Sequence, residues 1–382
     1  ISWSLYDFAN QPFTTIIVTF VYGAFFTSVI ASDENTGTLL WTWGIASTAI
    51  IVSILSPILG ALADKGGFRK FFLILFTWIC AIFSILLYFP QSGDVFFALS
   101  LFVIANISFE LGSVFCNSYL QDLSEDSNIG KISGFAWGLG FVGGLLALFI
   151  SFSLFELNSV GIRGINILVG VWFLIFSIPT FIFVKDRKKD KLTKKHFVDS
   201  FVSIKTTFKE VVKYKIIMKF LIARLFFNDG LITIFALGGI YAVDTLDFTF
   251  DEVMMLGIVL NISAAIGSFV FGYLEDKIGV KKVINISLVV LVFSTLLAFI
   301  APFYEKMGFE KEIFWVAGVL IGLMVGPNQS CSRSLMAKLT PKEKQNEFFG
   351  FFALTGKATS FLGPVLFGII TFNFSQQVAL WV

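Results

Sequence analysis

Long blocks of apolar residues, separated by short polar stretches, run along almost the whole chain. The blocks lack the alternation of apolar and polar positions that is typical of strands, so they predict helices. A bilayer core of about 30 Å needs about 20 apolar residues in a helix. The pattern predicts an all-α membrane protein with eleven visible spans, and with a twelfth that begins near Gln377 and is cut off. The predicted spans are approximately Pro12–Ala31, Leu39–Ala63, Arg69–Phe89, Val95–Tyr119, Ile132–Phe155, Ile162–Val184, Ile216–Val243, Glu252–Leu274, Lys281–Ala301, Ile313–Leu335 and Phe348–Phe372.

Basic residues fall almost entirely in every second loop. One side of the predicted membrane carries most of the lysines and arginines, among them the dense set in Lys185–Lys219, whereas the other side carries only Arg163, Lys306 and Lys311. Loops rich in lysine and arginine stay on the cytoplasmic side of a membrane. The sequence therefore predicts a multi-pass protein with a cytoplasmic N-terminus, placed in the inner membrane of a cell.

Composition supports a membrane protein and narrows its chemistry. Hydrophobic residues make up 56% of the chain, charged residues only 14%, and the mean hydropathy is +0.85, whereas a soluble domain carries about 25% charged residues. The net charge of +2 arises from short clusters, so we expect membrane lipids and no nucleic acid as partners. Phosphate-cradling loops and metal-ligand spacings do not occur in the sequence. We therefore predict no cofactor, no metal and no enzymatic activity.

One loop sequence occurs twice. "GALADKGGFRK" at Gly60–Lys70 and "GYLEDKIGVKK" at Gly272–Lys282 share the positions of glycine, leucine, aspartate and lysine, 212 residues apart. A repeat at a six-span offset predicts two halves of the same topology around a cavity. The predicted domains are residues 1–184, a cytoplasmic linker at 185–215 with an amphipathic helix, and residues 216–382. Because aspartates are stabilised at helix N-termini, we expect this loop to hold one state shut, through the gating residues Asp64, Arg69, Asp276 and Lys281.

The paired loop resembles the loop signature of the major facilitator superfamily, with Phe68 and Val280 in place of its first basic residue. Within that superfamily, further stretches resemble the autophagy-related vacuolar amino-acid effluxers and their bacterial relatives. The resemblance implies a major facilitator fold, with two six-helix bundles related by pseudo-two-fold symmetry, and a transport function. It is carried by "WSLYDFANQPF" (Trp3–Phe13), "ELGSVFCNSYL" (Glu110–Leu120), "SGFAWGLGFVGG" (Ser133–Gly144), "FLIARLFFNDGLITIFALGGIYA" (Phe220–Ala242), "NQSCSRSLMAKLTP" (Asn328–Pro341) and "EFFGFFALTGKATSFLGP" (Glu347–Pro364).

Four charged residues stand well inside predicted spans: Glu110, Arg224, Asp229 and Lys357. A charge in the hydrocarbon core costs at least about 2.5–3.5 kcal/mol, so each requires a reason. Either carboxylate is a candidate for a substrate amine or a coupling proton, and either cation for a substrate carboxylate. The alternative is structural: Glu110 in an ion pair, Arg224 in a gate salt bridge, and Lys357 paired with an acid on span four or span seven.

Polar side chains near these charges complete the candidate site. Asn228 precedes Asp229, Asn117 lies on span four, and Asn10 and Gln11 begin span one. Such groups more often form hydrogen bonds between helices than contacts with a ligand.

Two acids and two bases in the bundle suit a zwitterion such as an amino acid. We therefore predict a secondary active transporter that moves a small polar solute by alternating access, with protons as the candidate coupling ion. The alternatives are a lipid or drug exporter of the same fold, whose cavity would be aromatic, and a membrane-embedded receptor or enzyme.

Overall fold

The computed structural model describes residues 1–156, 158–186, 213–360 and 362–381, and in these residues it contains helices and no strand. Within them, nine helices are long and apolar enough to cross a membrane, and a tenth, bent helix also qualifies. The amphipathic helix predicted in the linker falls outside the described residues. The main helices are α1 Leu5–Ile30, α2 Glu34–Gly66, α3 Arg69–Leu86, α4 Val95–Ser118, α5 Ile129–Leu154, α6 Ser159–Phe183, α7 Lys215–Leu246, α8 Phe250–Ile278, α9 Val280–Ile300, α10 Glu310–Leu339, α11 Gln345–Lys357 and α12 Leu362–Asn373.

The eleventh predicted span is two helices rather than one. The segment Phe348–Phe372 is interrupted by a turn at residues 358–360, after which α12 begins at Leu362. The sequence here is poor in helix formers, because Thr359 and Ser360 precede a glycine and then Pro364. A proline lacks the N–H that a continuing helix needs but fits the first turn of a new one.

Helix α1 winds irregularly. Its segments Phe13–Phe20 and Phe26–Ile30 are π-helical, a rare geometry that places an extra residue in each turn. Pro12, which cannot donate a backbone hydrogen bond, directly precedes the first of them. Helix α7 departs from a straight rod in another way, with a bend of 48° between Phe235 and Leu237.

Each copy of the repeated loop ends its helix in the same manner. The glycine at the eighth position of each copy has a positive φ, 68° at Gly67 and 94° at Gly279. This backbone conformation favours glycine and terminates α2 and α8. The two copies share the positive φ of this glycine, whereas its ψ differs, 36° at Gly67 and 142° at Gly279.

Backbone contacts divide the chain into two compact units. Unit 1 comprises Ile1–Leu123, Leu139–Lys215 and Leu339–Lys357, and unit 2 comprises Ser124–Gly138, Ile216–Lys338 and Ala358–Val382. These boundaries group α11 with unit 1 and the first turns of α5 with unit 2. The division into halves at 184 and 216 follows the sequence repeat instead, and it remains a prediction.

In unit 1, α2 packs against α4 and α11, α3 against α4 and α6, and α1 against α6. In unit 2, Tyr241, Leu256, Ala298 and Phe314 bring α7, α8, α9 and α10 into one buried cluster. Large apolar side chains also face outward, as at Phe149, which is 70% exposed. Such exposure suits a protein whose solvent is lipid.

Several helix pairs approach closely enough to require glycine, and two of these contacts hold the aspartates of the repeated loop. We call the contact of α2 with α11 the first seam and the contact of α8 with the start of α5 the second seam. A Cβ at Gly60 would overlap the Asn346 carbonyl oxygen, and one at Gly134 would overlap that of Ser268. The helix backbones themselves therefore form these contacts, as small residues permit in membrane proteins.

We predict that Gly134→Ala lowers the thermal stability of the detergent-solubilised protein. The added methyl group meets backbone atoms of α8 that cannot rotate away, and overpacking of this kind costs about 1–3 kcal/mol. The melting temperature, followed by tryptophan fluorescence, measures the effect. Gly238→Ala is the matched control, because a Cβ there meets nothing within 4 Å and alanine is the better helix former. Equal destabilisation by both variants would contradict the close-packing explanation.

Candidate functional site

Asp64 lies at the N-terminus of α11 in the first seam. Its Oδ1 accepts hydrogen bonds from the Asn346 backbone N–H at 3.1 Å and from Asn346 Nδ2 at 2.7 Å, and its Oδ2 accepts one from the Glu347 N–H at 2.8 Å. The first N–H groups of a helix have no partner within the helix and carry a positive partial charge. The carboxylate therefore satisfies the end of α11 in both hydrogen bonding and charge.

Asp276 makes the same contact in the second seam. Its two carboxylate oxygens accept hydrogen bonds from the backbone N–H groups of Gly130 and Lys131, each at 2.8 Å. These are the second and third residues of α5, as Asn346 and Glu347 are of α11. The two copies of the loop thus bind two helix N-termini in the same register.

The basic residues of the two copies differ. Arg69 is 3% exposed, and its guanidinium donates to Ser118 O at 3.1 Å, to Gln345 Oε1 at 2.8 Å and to Asp122 Oδ2 at 2.6 Å. It also lies 3.6 Å from the ring centre of Tyr119. Lys281, its counterpart in the second copy, is exposed.

A buried arginine that the sequence suggested only as a loop residue belongs to the second seam. Arg333 lies inside α10, is 2% exposed, and donates from Nε to Ser133 Oγ at 3.0 Å and from Nη2 to Ser133 O at 2.8 Å. The positive-inside pattern accounted for its charge without indicating its burial. The repeat could not have indicated it, because the position that corresponds to Arg69 in the second copy is Lys281.

Glu110 and Lys357 form an ion pair within unit 1. Lys357 Nζ lies 2.7 Å from Glu110 Oε1, and the two side chains retain 34% and 18% of their exposure. Lys357 is the last residue of α11, directly before the turn that interrupts the span. Of the roles considered for Lys357, pairing with the acid of span four is the arrangement present.

Asn228 and Asp229 lie together in unit 2, close to the start of α12. Asp229 Oδ2 accepts a hydrogen bond from the Gly363 N–H at 3.1 Å, and Asn228 Oδ1 accepts one from Gln329 Nε2 at 3.2 Å. Among the described residues, Asp229 Oδ1 has no hydrogen-bond partner. A carboxylate, two amides and a half-helix N-terminus therefore meet beside α7.

The remaining predicted residues are distributed between the units. Arg224 in unit 2 is 6% exposed, and Asn10 in unit 1 is 7% exposed. Gln11 packs against α5, where its Cγ would lie 3.1 Å from a Cβ at Gly144. Asn117 on α4 is partly buried. Within unit 1 the structure brings together Glu110 and Lys357, and within unit 2 it brings together Asn228 and Asp229.

Sequence reasoning missed the polar residues that open α11. Gln345 donates to Gln121 Oε1 at 2.6 Å as well as accepting from Arg69, and Asn346 Oδ1 accepts from Ser118 Oγ at 2.6 Å. Both residues precede the predicted span Phe348–Phe372, so hydropathy assigns them to a loop. Aligning the start of α11 with the start of α5 would have indicated their position.

Unit 2 also contains an apolar cavity of about 350 Å³, lined by α7, α9, α10 and α12 and including Phe227, Tyr241, Phe299 and Trp381. By the six-span offset, α7 and α9 correspond to α1 and α3, which in unit 1 are covered by α6. The lining has the composition of a helix-packing surface. Among the described residues, no group of three or more His, Cys, Asp or Glu side chains is placed to hold a metal ion.

Most of the chain is similar to a known protein family. The family model described as "Vacuole effluxer Atg22 like" matches residues 35–377. An uncharacterized MFS-type transporter of Bacillus subtilis, YxiO, is 28% identical, with 96% of this chain and 87% of that protein aligned. Autophagy-related protein 22 of Coccidioides immitis is 22% identical over 91% of this chain and 70% of its own length.

Solved structures show the same fold. The proton:xylose symporter XylE aligns with a TM-score of 0.75 at 15% identity, covering 100% of this chain and 91% of that one. The transporter FucP, solved in the outward conformation, aligns with a TM-score of 0.73 at 13% identity, covering 99% and 92%. The chain therefore has the major facilitator fold and belongs to the Atg22-like family of the major facilitator superfamily, whose members are multi-pass membrane transporters and not enzymes.

Proposed function

We propose that this protein is a secondary active transporter that moves a small zwitterion, of the amino-acid class, by alternating access. The observation that carries the proposal is the ion pair of Glu110 and Lys357, an acid and a base held 2.7 Å apart within spans and still partly accessible. The description of the family as vacuole effluxers supports a transport function.

The pair offers a zwitterion two complementary contacts. A substrate carboxylate would replace Glu110 as the partner of Lys357, and a substrate amine would replace Lys357 as the partner of Glu110. Each charge then exchanges one counter-charge for another, so the binding step leaves no charge unpaired in a region of low dielectric. A neutral or purely apolar solute would leave both residues as they are and gain nothing from them.

Asp229 is our candidate for the coupling proton. Its Oδ1 has no hydrogen-bond partner among the described residues, and its Oδ2 accepts from the N-terminus of α12. Discontinuous helices and intramembrane acids are recurrent parts of ion-coupled transporters. The likeness to a proton:xylose symporter indicates that this fold accommodates proton coupling.

The two seams are our candidates for the gate on one side of the membrane. The loop charges support a cytoplasmic N-terminus, and with that orientation the seams would lie on the cytoplasmic side of an inner membrane. Asp64 and Asp276 would hold that side shut by capping α11 and α5. Opening would require the N–H groups at these N-termini to hydrogen-bond with water instead. Arg69 would reinforce the first seam. Lys281, which is exposed, would add charge to the loop without a buried contact.

A lipid or drug exporter is the competing function, and the aromatic cavity of unit 2 is the observation in its favour. The two functions differ in the ligands that stabilise the protein, so one experiment separates them.

We predict that an amino acid raises the melting temperature of the detergent-solubilised protein, and that Glu110→Gln and Lys357→Gln each weaken this effect by about ten- to a hundred-fold in ligand concentration. Losing one charged hydrogen-bond partner costs about 1.5–3 kcal/mol. A panel of amino acids, polar sugars and lipids in a thermal-shift assay measures it. The matched control is Lys311→Gln, which removes a similarly exposed ion pair with Glu252 at 2.9 Å. Stabilisation by lipids alone would favour the exporter, and an unchanged response in both variants would exclude the pair as the site.

Arg69→Ala should destabilise the protein by about 2–3 kcal/mol, because Ser118, Asp122 and Gln345 lose a charged donor. Lys281→Ala should change stability by less than about 0.5 kcal/mol, as expected for an exposed side chain. Melting temperatures of the two variants test the difference between the loops. Equal destabilisation by both variants would mean that the buried hydrogen bonds of Arg69 do not stabilise the first seam.

For the stabilising amino acid, we predict that uptake into proteoliposomes depends on a pH gradient and that Asp229→Asn removes this dependence while solute exchange continues. An amide cannot release the proton that an alternating carboxyl would carry. Asp244→Asn, on the same helix but exposed, is the control and should leave the dependence intact. Gradient-driven uptake that survives Asp229→Asn would reject Asp229 as the carrier.

A further inference from the structure

A second carboxyl group stands beside Asp276 in the second seam. Glu275 is fully buried, with 0% exposure, although it lies only three residues from the end of α8. The position 212 residues earlier, in the first copy of the loop, is Ala63. The two seams are thus alike in their capping aspartates and differ in this one buried acid.

Three helices enclose the Glu275 side chain. On α10, Lys338 Nζ lies 3.7 Å from Glu275 Oε1, and Cys331 and Ser334 are adjacent, although the Ser334 hydroxyl donates to Ser330 O at 3.0 Å. On α5, the backbone of Gly130 covers the carboxyl, since a Cβ there would lie 2.6 Å from Glu275 Cδ. On α8 itself, the neighbouring charge is Asp276.

These surroundings do not suit an ionised carboxylate. Among the described residues, neither Glu275 oxygen accepts a hydrogen bond of good geometry. The backbone donors of α5 at this point, Gly130 and Lys131, are engaged by Asp276, whose negative charge repels a second one. Lys338 stands at ion-pair distance but not at hydrogen-bond distance and keeps 22% of its exposure. Burying a carboxylate without hydrogen bonds is costly, so the packed seam favours the protonated acid.

The Glu275 carboxyl stays buried only while the second seam is closed, because Gly130 covers it. Because the cover over the carboxyl is the first turn of α5, separation of α5 from α8 would expose Glu275 to water and allow it to ionise. The same separation would free the N–H groups that Asp276 now occupies.

We infer that Glu275 is a proton-binding residue of the transport cycle, which takes up a proton when the second seam closes and releases it when the seam opens. The inference rests on the proposed alternating-access function and adds a proton site to it. Protons bind more tightly to the closed seam, so lowering the pH favours closure and raising the pH favours opening. For one proton the ratio of open to closed seams changes by at most about tenfold per pH unit.

The test measures the seam directly and needs no solute. Spin labels attached to Lys277→Cys on α8 and Ser127→Cys before α5, both at exposed positions, report the distance across the second seam. The full chain is used in lipid nanodiscs, with Cys80 and Cys116 replaced by alanine and with Cys331 replaced by serine, which keeps a small polar group beside Glu275. Double electron–electron resonance distances are recorded from about pH 5.5 to about pH 8.5, where a buried carboxyl can titrate.

In the otherwise unaltered protein we expect a short distance at low pH and a longer one that grows as the pH rises. Glu275→Gln should abolish this response and keep the short distance throughout. Lys338→Met removes the cation that favours ionisation, so the response should shift to higher pH. Glu252→Gln, at the opposite end of α8, is the control and should respond as the unaltered protein does.

A pH response that persists in Glu275→Gln, or its absence from the unaltered protein, would overturn the inference. Because these distances are read without solute, either result leaves the zwitterion site to its own thermal-shift test. A negative thermal-shift result for the zwitterion site would likewise not change the interpretation of these distances.

Discussion

The capping of two helix N-termini by aspartates from the repeated loop is the contact on which the rest of the structure depends. The first N–H groups of α5 and α11 have no partner within their helices, and both helices begin at residues buried among their neighbours. Asp64 and Asp276 each satisfy two such groups with bond lengths of 2.8–3.1 Å. Glycines at Gly60 and Gly134 bring the backbones close enough for this to occur. The aspartate and the glycine therefore act together. The carboxylate of the aspartate binds the end of a helix, and the glycine, which has no side chain, lets that end approach.

Three cations within the bundle, Arg69, Arg333 and Lys357, are held by oxygen atoms. Arg69 has two carbonyl-type oxygens and a carboxylate, Arg333 has the two oxygens of Ser133, and Lys357 has Glu110. These contacts differ in whether a ligand could reach them. The arginines are almost fully buried and serve the seams, whereas Lys357 and Glu110 remain partly accessible. Accessibility, and not charge alone, distinguishes the candidate solute contacts from structural ones.

The sequence predicts most membrane spans, because a span requires a long segment of apolar residues that is visible in the composition alone. The positions of ten spans, the repeated loop and the intramembrane charges all followed from residue types and spacing. The break between α11 and α12 did not, because hydropathy records that residues 348–372 are apolar and not that Thr359, Ser360 and Pro364 interrupt them. The burial of Arg333 was missed for a similar reason, since a basic residue near the end of a span reads as a loop residue unless its partner Ser133, 200 positions earlier, is known. The pairing of Lys357 with Glu110 had been one of several open possibilities, and geometry selected it.

Both copies of the loop cap a helix N-terminus with an aspartate, and they differ in the residues around that contact. Arg69 is buried in a network where Lys281 is exposed, which gives the first seam a fixed ionic anchor. Glu275 is buried where the first copy has Ala63, and its oxygens accept no hydrogen bond of good geometry from the described residues. A seam anchored by an arginine would resist opening equally at any pH at which arginine is charged. A seam that encloses a carboxyl whose nearest cation, Lys338, lies 3.7 Å away would open more readily when that carboxyl can lose its proton. A solute gradient and a proton gradient can act on one motion when a contact that breaks during the motion also binds a proton. We infer that Glu275 forms such a contact in the second seam, in addition to the proton carrier proposed at Asp229.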